Sequence, residues 1–536
     1  MKLKYLLILV VLFELKVYSQ DSQKILFTID NEPYYSNEFL AVYKKNMKVV
    51  SNAEDNSIEN YLQMFVDYKL KVKSAKDIGL DTVKSYINEL NQYKDALVSP
   101  YLKDEKVTNK LVKEAYERIK KEVNVSHILI FLKPETLPSD TIAAYKKLLE
   151  ARELILEGKD FSEIAKAYSQ DPSVKENGGE IGYFTALQMV YPFENIAYST
   201  PLDGVSMPFR TKFGLHILKV NDIRNSGGEV EVAHIMIKNN EEGTEKKMDS
   251  IYQLAENNPS DFEQLVNIFS EDNASAPNGG RLKKFSSGQM IKSFSEVAFS
   301  LQTIGEISQP FQTPYGWHII KLIKKYPIES FENIESKLLR KVENDERSNL
   351  IAKSVIERLF KEYNIVVYKD AVKQFNEEDW NKYPENFQKK ILKIQDKEIY
   401  QNKFIEFLSN KNKQTINSAF KDFEEAEVLN YFKENIEFNN ADFAATYKEF
   451  EEGLLLFEML EKQVWEKSKD SIGLLNYYDS NKTTKYIDKD LSSNKGQIIA
   501  DYQNYLEKMW VKELHQKYKV EFVKDERTHI LKTIFN

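Results

Sequence analysis

One passage is written twice in this sequence, and that repeat constrains the fold more than any other feature. The first copy runs from Val125-Ser126-His127-Ile128-Leu129-Ile130 to Gly214-Leu215-His216-Ile217-Leu218-Lys219-Val220. The second runs from Val232-Ala233-His234-Ile235-Met236-Ile237 to Gly316-Trp317-His318-Ile319-Ile320-Lys321-Leu322. Each copy opens and closes on a short apolar strand carrying one histidine, so four of the six histidines fall into two pairs. Phe161-Ser162-Glu163-Ile164 answers Phe262-Glu263-Gln264-Leu265 at an offset of 101 (262 − 161). The same offset pairs Asp171 with Asp272, Gly178-Gly179 with Gly279-Gly280, Met189 with Met290 and Phe193 with Phe294. It becomes 102 at Thr211/Thr313 and His216/His318, so one insertion after residue 193 suffices. A constant offset through mixed residue types marks a duplicated domain.

Each copy reads strand, helix, helix, short helix, strand, strand; in the first these fall near 125–131, 138–157, 160–168, 189–199, 206–210 and 213–222. The Asn-Gly-Gly steps at 177–179 and 278–280 supply residues that tolerate positive φ in a tight turn between helix and strand. A small antiparallel sheet with covering helices is an α+β domain. The copies differ at one telling place. Gly182 in Glu180-Ile181-Gly182-Tyr183-Phe184 becomes Lys283 in Arg281-Leu282-Lys283-Lys284-Phe285. If that position requires positive φ, lysine costs stability or reshapes the strand. The first helix of the second copy is also shorter.

Composition separates this middle from its flanks. Fourteen of the 18 glycines and ten of the 14 prolines lie between residues 122 and 325, where turns are needed. The flanks are rich in Lys, Glu, Tyr and Phe and read as solvated amphipathic helices. On the N-terminal side a strand at Ile25–Asp30 and the turn residues Asn31-Glu32-Pro33 precede a helix for which Ser36 is the candidate N-cap. Helices follow over 58–75, 83–102 and 109–123. On the C-terminal side, helix 329–363 leads to a strand Ile365–Tyr368, then mostly helices to 519 and a strand near Val520–Val523. Glu32-Pro33-Tyr34-Tyr35-Ser36-Asn37-Glu38-Phe39 echoes Lys397-Glu398-Ile399-Tyr400-Gln401-Asn402-Lys403-Phe404, either as a second repeat or as a coincidence in a Lys/Asn/Glu-rich chain.

Residues 1–19 read as a secretory signal. Lys2 and Lys4 form the basic start, Tyr5–Phe13 an apolar stretch too short to span a bilayer, and Val17-Tyr18-Ser19 a cleavage site before Gln20. No cysteine is present, so neither disulfides nor lipid attachment through a thiol can occur. The net charge of −8, with both signs mixed throughout, gives no basic face for nucleic acid. The expected layout is a signal peptide (1–19), an N-terminal helical domain (20–121), two duplicated domains (122–223 and 229–325) and a C-terminal mainly helical domain (326–536). No transmembrane segment is expected once the signal is removed.

In sequence order, Val-Ser-His-Ile-Leu, Tyr-Ser-Gln-Asp, Asn-Gly-Gly-Glu-Ile-Gly-Tyr-Phe, Met-x3-Phe and Thr-x-Phe-Gly-Leu-His-Ile-Leu closely resemble a parvulin-type peptidyl-prolyl cis/trans isomerase. The second copy resembles it through Phe-Ser-Glu-Asp, Asn-Gly-Gly, Gln-Met-Ile-Lys-Ser-Phe and Thr-Pro-Tyr-Gly-Trp-His-Ile-Ile. With a signal peptide and helical flanks, the chain looks like a tandem-domain periplasmic folding factor of the SurA/PpiD kind. The resemblance implies an apolar slot for the proline ring: Met189, Phe193 and Phe213 in the first copy, and Met290, Phe294 and Tyr315 in the second. Read without it, these are equally ordinary core residues. It also implies paired histidines on neighbouring strands, His127 and His216 with Thr211, repeated as His234, His318 and Thr313. These either act on the substrate or orient the site.

Asp171 and Asp272 stand where parvulins carry aspartate or cysteine, and would polarise that network or merely cap a helix. The reaction needs no nucleophile, metal or cofactor, and neither HExxH nor a G-x-S-x-G elbow occurs. The implied clients are unfolded polypeptides, with outer-membrane proteins expected among them by analogy. The alternative is a holdase whose parvulin-like copies only bind peptide.

Overall fold

The computed structural model describes residues 24–47, 58–133, 138–238, 243–410 and 415–533, so the signal reading of residues 1–19 lies outside the described residues. The strands of the flanks and first copy begin with β1 (Ile25–Ile29), β2 (Glu32–Tyr35), β3 (Lys121–Phe131), β4 (Glu180–Phe184), β5 (Phe209–Thr211) and β6 (Gly214–Asn225). They continue with β7 (Glu229–Ile237), β8 (Phe311–Thr313), β9 (Gly316–Tyr326), β10 (Ile365–Val367), β11 (Lys390–Ile394), β12 (Lys397–Tyr400) and β13 (Val520–Phe522). The chain divides into two compact units, residues 1–99 with 434–536, and residues 100–433.

This division departs from the expected flanking domains. The C-terminal region 326–536 is split near residue 433, and residues 100–121 leave the N-terminal region. The physical reason is pairing between chain ends. In the first unit β1 pairs antiparallel with β13, through Phe27↔Phe522 and Ile29↔Val520. Phe39 packs edge-on to Phe65 at 5.5 Å, in a core that also takes Leu455, Met459, Trp510 and Leu514. Lys69, 1% exposed, pairs with Glu38 and with Glu452 (2.6 Å). Meanwhile the helix Glu105–Ile119, capped by Asp104, buries Leu111, Val112 and Ala115 against Ile334, Leu338 and Val342 in the second unit.

Smaller expectations are also corrected. Ser36 is not a cap: it opens the helix Ser36–Met47, and its hydroxyl donates to Glu526 Oε1 at 2.8 Å. The expected helix 109–123 runs from Glu105 to Ile119, because the apolar run from Val123 is already strand β3. The expected helix 329–363 breaks into Phe331–Glu343 and Arg347–Glu362.

In the first duplicated domain the sheet order is β4-β3-β6-β5, all pairs antiparallel. Ile128, Ile130 and Ile217 face the helices Pro138–Leu156 and Phe161–Tyr168, while Val123, Val125 and Leu218 face the helix Tyr191–Ser199. The second domain has the order β7-β9-β8, with only isolated bridges at Ala233↔Arg281 and Val230↔Phe285 where β4 would lie. The Gly182/Lys283 difference explains this. Gly182 sits at φ +87°, inside β4, whereas Lys283 is outside the positive-φ region and its segment never forms the strand. The first helix of the second copy, Thr244–Asn257, is shorter than Pro138–Leu156, as its sequence indicates.

Candidate active site

The site begins with backbone. β3 and β6 lie side by side with His127 opposite Leu218 and Leu129 opposite His216, so both imidazoles emerge on one face of the sheet, on adjacent strands. Gly179 secures the opposite approach. It sits at φ +88°, and a Cβ there would come within 2.6 Å of the His127 carbonyl oxygen, while the His127 amide donates to Gly179 O at 2.8 Å. Gly280 and His234 repeat this in the second domain.

The two rings are nearly parallel, 5.7 Å apart between centroids. His127 Nε2 lies 3.0 Å from Asp171 Oδ2 and donates to that carboxylate. At the other end His216 Nε2 lies 2.8 Å from Thr211 Oγ1, which also accepts from the Phe213 amide at 3.1 Å. Thr211 Oγ1 thus bridges the Phe213 amide and the His216 ring. The second domain holds Asp272, His234, His318 and Thr313 in the same sequence, at 2.8 Å for the outer contacts and 3.4 Å between the two Nδ1 atoms.

Burial makes these imidazoles neutral. It pushes His216 down to about 3, assisted by its neighbour His127, and His318 down to about 4, assisted by His234. His127 and His234 are also lowered by burial, although their aspartates pull the other way. For Asp171 burial acts upward, yet hydrogen bonds from the Ser173 hydroxyl (2.7 Å) and amide (2.9 Å), with His127, hold it below the ordinary carboxylate value. Ser275 serves Asp272 likewise.

Phe193, 4% exposed, projects from the helix Tyr191–Ser199 and meets both rings edge-on, 5.7 Å from His127 and 5.6 Å from His216. Met189 packs into the same cluster half-buried. Phe213 is 50% exposed with the Lys212 ammonium over its ring, so it stands at the rim. In the second domain Phe294 is buried against His234 and His318, Met290 is half-buried and Tyr315 is exposed. Twelve of the fourteen candidate residues thus fall into two equivalent clusters, and Phe213 and Tyr315 join them through their amides, which donate to Thr211 and Thr313 at 3.1 Å.

Sequence reasoning missed Phe209, whose ring stacks on His216 at 5.5 Å and leans on Phe193 at 5.8 Å. The signal was present, since Phe209 and Phe311 share the 102 offset and Phe311 stacks identically on His318. It also missed Glu194, fully buried beside Phe193. Its Oε1 accepts from Arg118 at 3.0 Å and from Arg347, and its Oε2 from the Leu187 amide at 2.8 Å. Arg347 is itself fully buried, 4.4 Å from the Tyr191 ring centroid. The equivalent residue in the second copy is Ser295, which has no carboxylate to form such an ion pair.

The rotamase PPIC-type isomerase domain model matches residues 127–222 and 234–324. The chain is 36% identical over 217 residues to a chaperone SurA of Pseudomonas syringae, covering 38% of this chain and 50% of that one. It is 33% identical over 224 residues to a chaperone SurA of Pseudomonas aeruginosa, covering 40% and 53%. The chain spans about half the length of these curated relatives. Among solved structures, one of two SurA-like chaperones of Campylobacter jejuni matches at 26% identity over 38% of this chain and 83% of its own, with a TM-score of 0.16. Residues 127–222 and 234–324 are two tandem parvulin-type peptidyl-prolyl isomerase domains.

Proposed function

We propose that this protein is an exported, periplasmic prolyl isomerase and folding chaperone that acts on X–Pro bonds of unfolded clients. One observation carries the reading: an apolar cluster is set directly against two buried, uncharged imidazoles, and the arrangement is repeated in both domains. X–Pro rotation crosses a barrier of about 18–20 kcal/mol. At mid-rotation the amide loses conjugation, its nitrogen gains basicity and its carbonyl becomes ketone-like. A site lowers the barrier by holding the proline ring while preferring that twisted state.

Met189, Phe193 and Phe209 hold the ring, and Phe213 covers it from the rim. His127, His216 and Thr211 present fixed, neutral dipoles rather than charges. Asp171, kept anionic by Ser173, disfavours the charge-separated planar amide at its carbonyl. Met290, Phe294, Phe311, Tyr315, His234, His318, Thr313 and Asp272 repeat these roles. Among the described residues no helix is long and apolar enough to cross a membrane, and no group of three metal-ligating side chains gathers. The clients are extended, unfolded polypeptides, outer-membrane proteins among them.

The missing counterpart of β4 favours a second reading for the second domain: peptide binding without turnover. A protease-coupled isomerisation assay on the full chain separates these. Asp171→Ala and Met189→Ala are expected to remove most activity, and Asp272→Ala and Met290→Ala a smaller share. A parent chain with no turnover that still prevents client aggregation would leave only the holdase.

A further inference from the structure

The helical flanks contain a second repeat that extends well beyond residues 32–39. Adding 365 (390 − 25) carries the β1–β2 hairpin onto the β11–β12 hairpin in the same register. Ile25↔Tyr35, Phe27↔Tyr34 and Ile29↔Glu32 become Lys390↔Tyr400, Leu392↔Ile399 and Ile394↔Lys397. The irregularity in each ladder falls at the same place, between 25 and 27 and between 390 and 392. Both turns hold a non-glycine residue at positive φ, Asp30 at 48° and Gln395 at 51°. The first helical amide bonds back identically, Ser36 to Lys24 O (2.9 Å) and Gln401 to Lys389 O (3.0 Å). Phe39 and Phe404 then fill the same site, 5.5 Å from Phe65 and 5.0 Å from Phe423.

Four residues on from those last rings, the ion pair is repeated with its charges reversed. Lys69 meets Glu38 in one unit, and Glu427 meets Lys403 in the other at 2.6 Å.

The strand that closes each sheet corresponds under a second offset, 155 (520 − 365). Tyr518-Lys519-Val520-Glu521-Phe522-Val523-Lys524-Asp525 overlies Tyr363-Asn364-Ile365-Val366-Val367-Tyr368-Lys369-Asp370. Phe27↔Phe522, Thr28↔Glu521 and Ile29↔Val520 match Leu392↔Val367, Lys393↔Val366 and Ile394↔Ile365. The bonds that end each ladder agree too. Asp30 N–H to Lys519 O (3.0 Å) parallels Gln395 N–H to Asn364 O (2.9 Å), and Val523 N–H to Leu26 O (3.0 Å) parallels Tyr368 N–H to Ile391 O (3.1 Å).

Along the chain the order is hairpin (25–35), closing segment (363–377), hairpin (390–400), closing segment (518–533). A simple tandem duplication would close each hairpin with the segment that follows it in its own copy. The pairing observed is the reverse: the first hairpin takes the second closing strand, and the second hairpin takes the first. We propose that the flanks are one module written twice with its closing segments exchanged, so that this single chain is a covalently joined, strand-swapped dimer of a shorter unit. Each hairpin is an acceptor edge for a Tyr-x-apolar-x-apolar-x-Lys-Asp strand and its following helix, donated by the other half. Swapping of an identical element is a low-cost route to a dimer, and fusion makes it intramolecular.

Side chains assign the partners. Ser36 donates to Glu526 at 2.8 Å, whereas at the equivalent place Gln401 donates to Ala371 O (2.8 Å) and Gln374 Oε1 (3.1 Å). Glu526 and Ala371 are equivalent under the 155 offset, so the unswapped pairing would leave Ser36 facing an alanine. This inference is independent of any turnover by the parvulin domains.

The absence of cysteine allows a clean test in the full chain. A protease site is placed at the exposed turn Asn381-Lys382, between the first closing segment and the second hairpin. Residues opposed across an antiparallel ladder lie about 4.5–5.5 Å apart between Cα atoms, within disulfide reach. Thr28→Cys with Glu521→Cys, and Val366→Cys with Lys393→Cys, are expected to oxidise and hold the cut halves at full size on a denaturing, non-reducing gel. Thr28→Cys with Val366→Cys, and Lys393→Cys with Glu521→Cys, are the unswapped pairs and lie within one half each; their thiols are expected to stay free. Halves that separate in either of the first two variants, or thiols consumed in either of the last two, overturn the proposal.

Discussion

Replacing Arg347 by methionine tests whether the first parvulin site is held in place from outside its own domain. Glu194 follows Phe193 on the helix Tyr191–Ser199, and its buried carboxylate has two guanidinium partners and one amide donor. Breaking a buried ion pair from one side costs about 3–5 kcal/mol, because the remaining charge is left without compensation in a poor solvent. Arg118 remains at 3.0 Å and the Leu187 amide at 2.8 Å, so the lower end, about 3 kcal/mol, applies. At about 1.4 kcal/mol per tenfold, amide exchange in this helix should accelerate by about two orders of magnitude. Hydrogen-exchange mass spectrometry on the full chain reads this directly, with the helix Lys292–Ser300 as internal control because Ser295 stands in place of Glu194. Arg347→Met combined with Glu194→Gln removes the charge with its partner and should recover most of the protection. Exchange within twofold of the parent in Arg347→Met, or no recovery in the double variant, refutes this role for the Glu194–Arg347 pair.

Acidification should destabilise both parvulin domains. The buried imidazoles resist protonation while the unfolded chain accepts protons near 6.5, so stability is full above that pH and declines as pH falls toward about 4 for His318 and about 3 for His216. Melting temperatures measured from pH 7.5 to 4.5 should fall, less so in His216→Gln; a melting temperature that holds or rises contradicts the assignment. Gly182→Lys should cost about 1–3 kcal/mol by forcing a side chain into φ +87°, whereas Lys283→Gly should cost no more than about 1 kcal/mol, both read by urea unfolding. Phe209→Ala should lower kcat/KM of the first site about tenfold or more while the second site's contribution persists, and unchanged kcat/KM in the folded variant removes Phe209 from the site.

The sequence repeat located the site because both copies obey the same geometric requirement. His127 and His216 must share a sheet face, Gly179 must admit the His127 carbonyl, and each demand leaves a residue at a fixed offset. Phe209 escaped although it obeys the offset, because a phenylalanine in a short strand has no chemistry to distinguish it from core. Glu194 escaped for the opposite reason: its partners Arg118 and Arg347 come from distant helices, and no local pattern announces a buried carboxylate. The division of the flanks was illegible for the same cause, since pairing of β1 with β13 depends on residues that share no neighbourhood in the chain. Ser36 shows how a local rule loses to tertiary context, its hydroxyl being used by Glu526 instead of by its own helix.

The long-range closure of the first sheet sets a timetable for folding. The hairpin that carries Phe27 is synthesised early, but its partner strand lies almost 500 positions later, and the Ser36–Glu526 bond spans 490 residues. At about 5–20 residues per second, roughly 25–100 seconds pass before residue 522 has left the ribosome. During that interval β1 has an open edge and an uncovered aromatic face, the kind of surface that associates with other chains. Only when residues 520–522 have emerged can β13 cover that edge and this unit close.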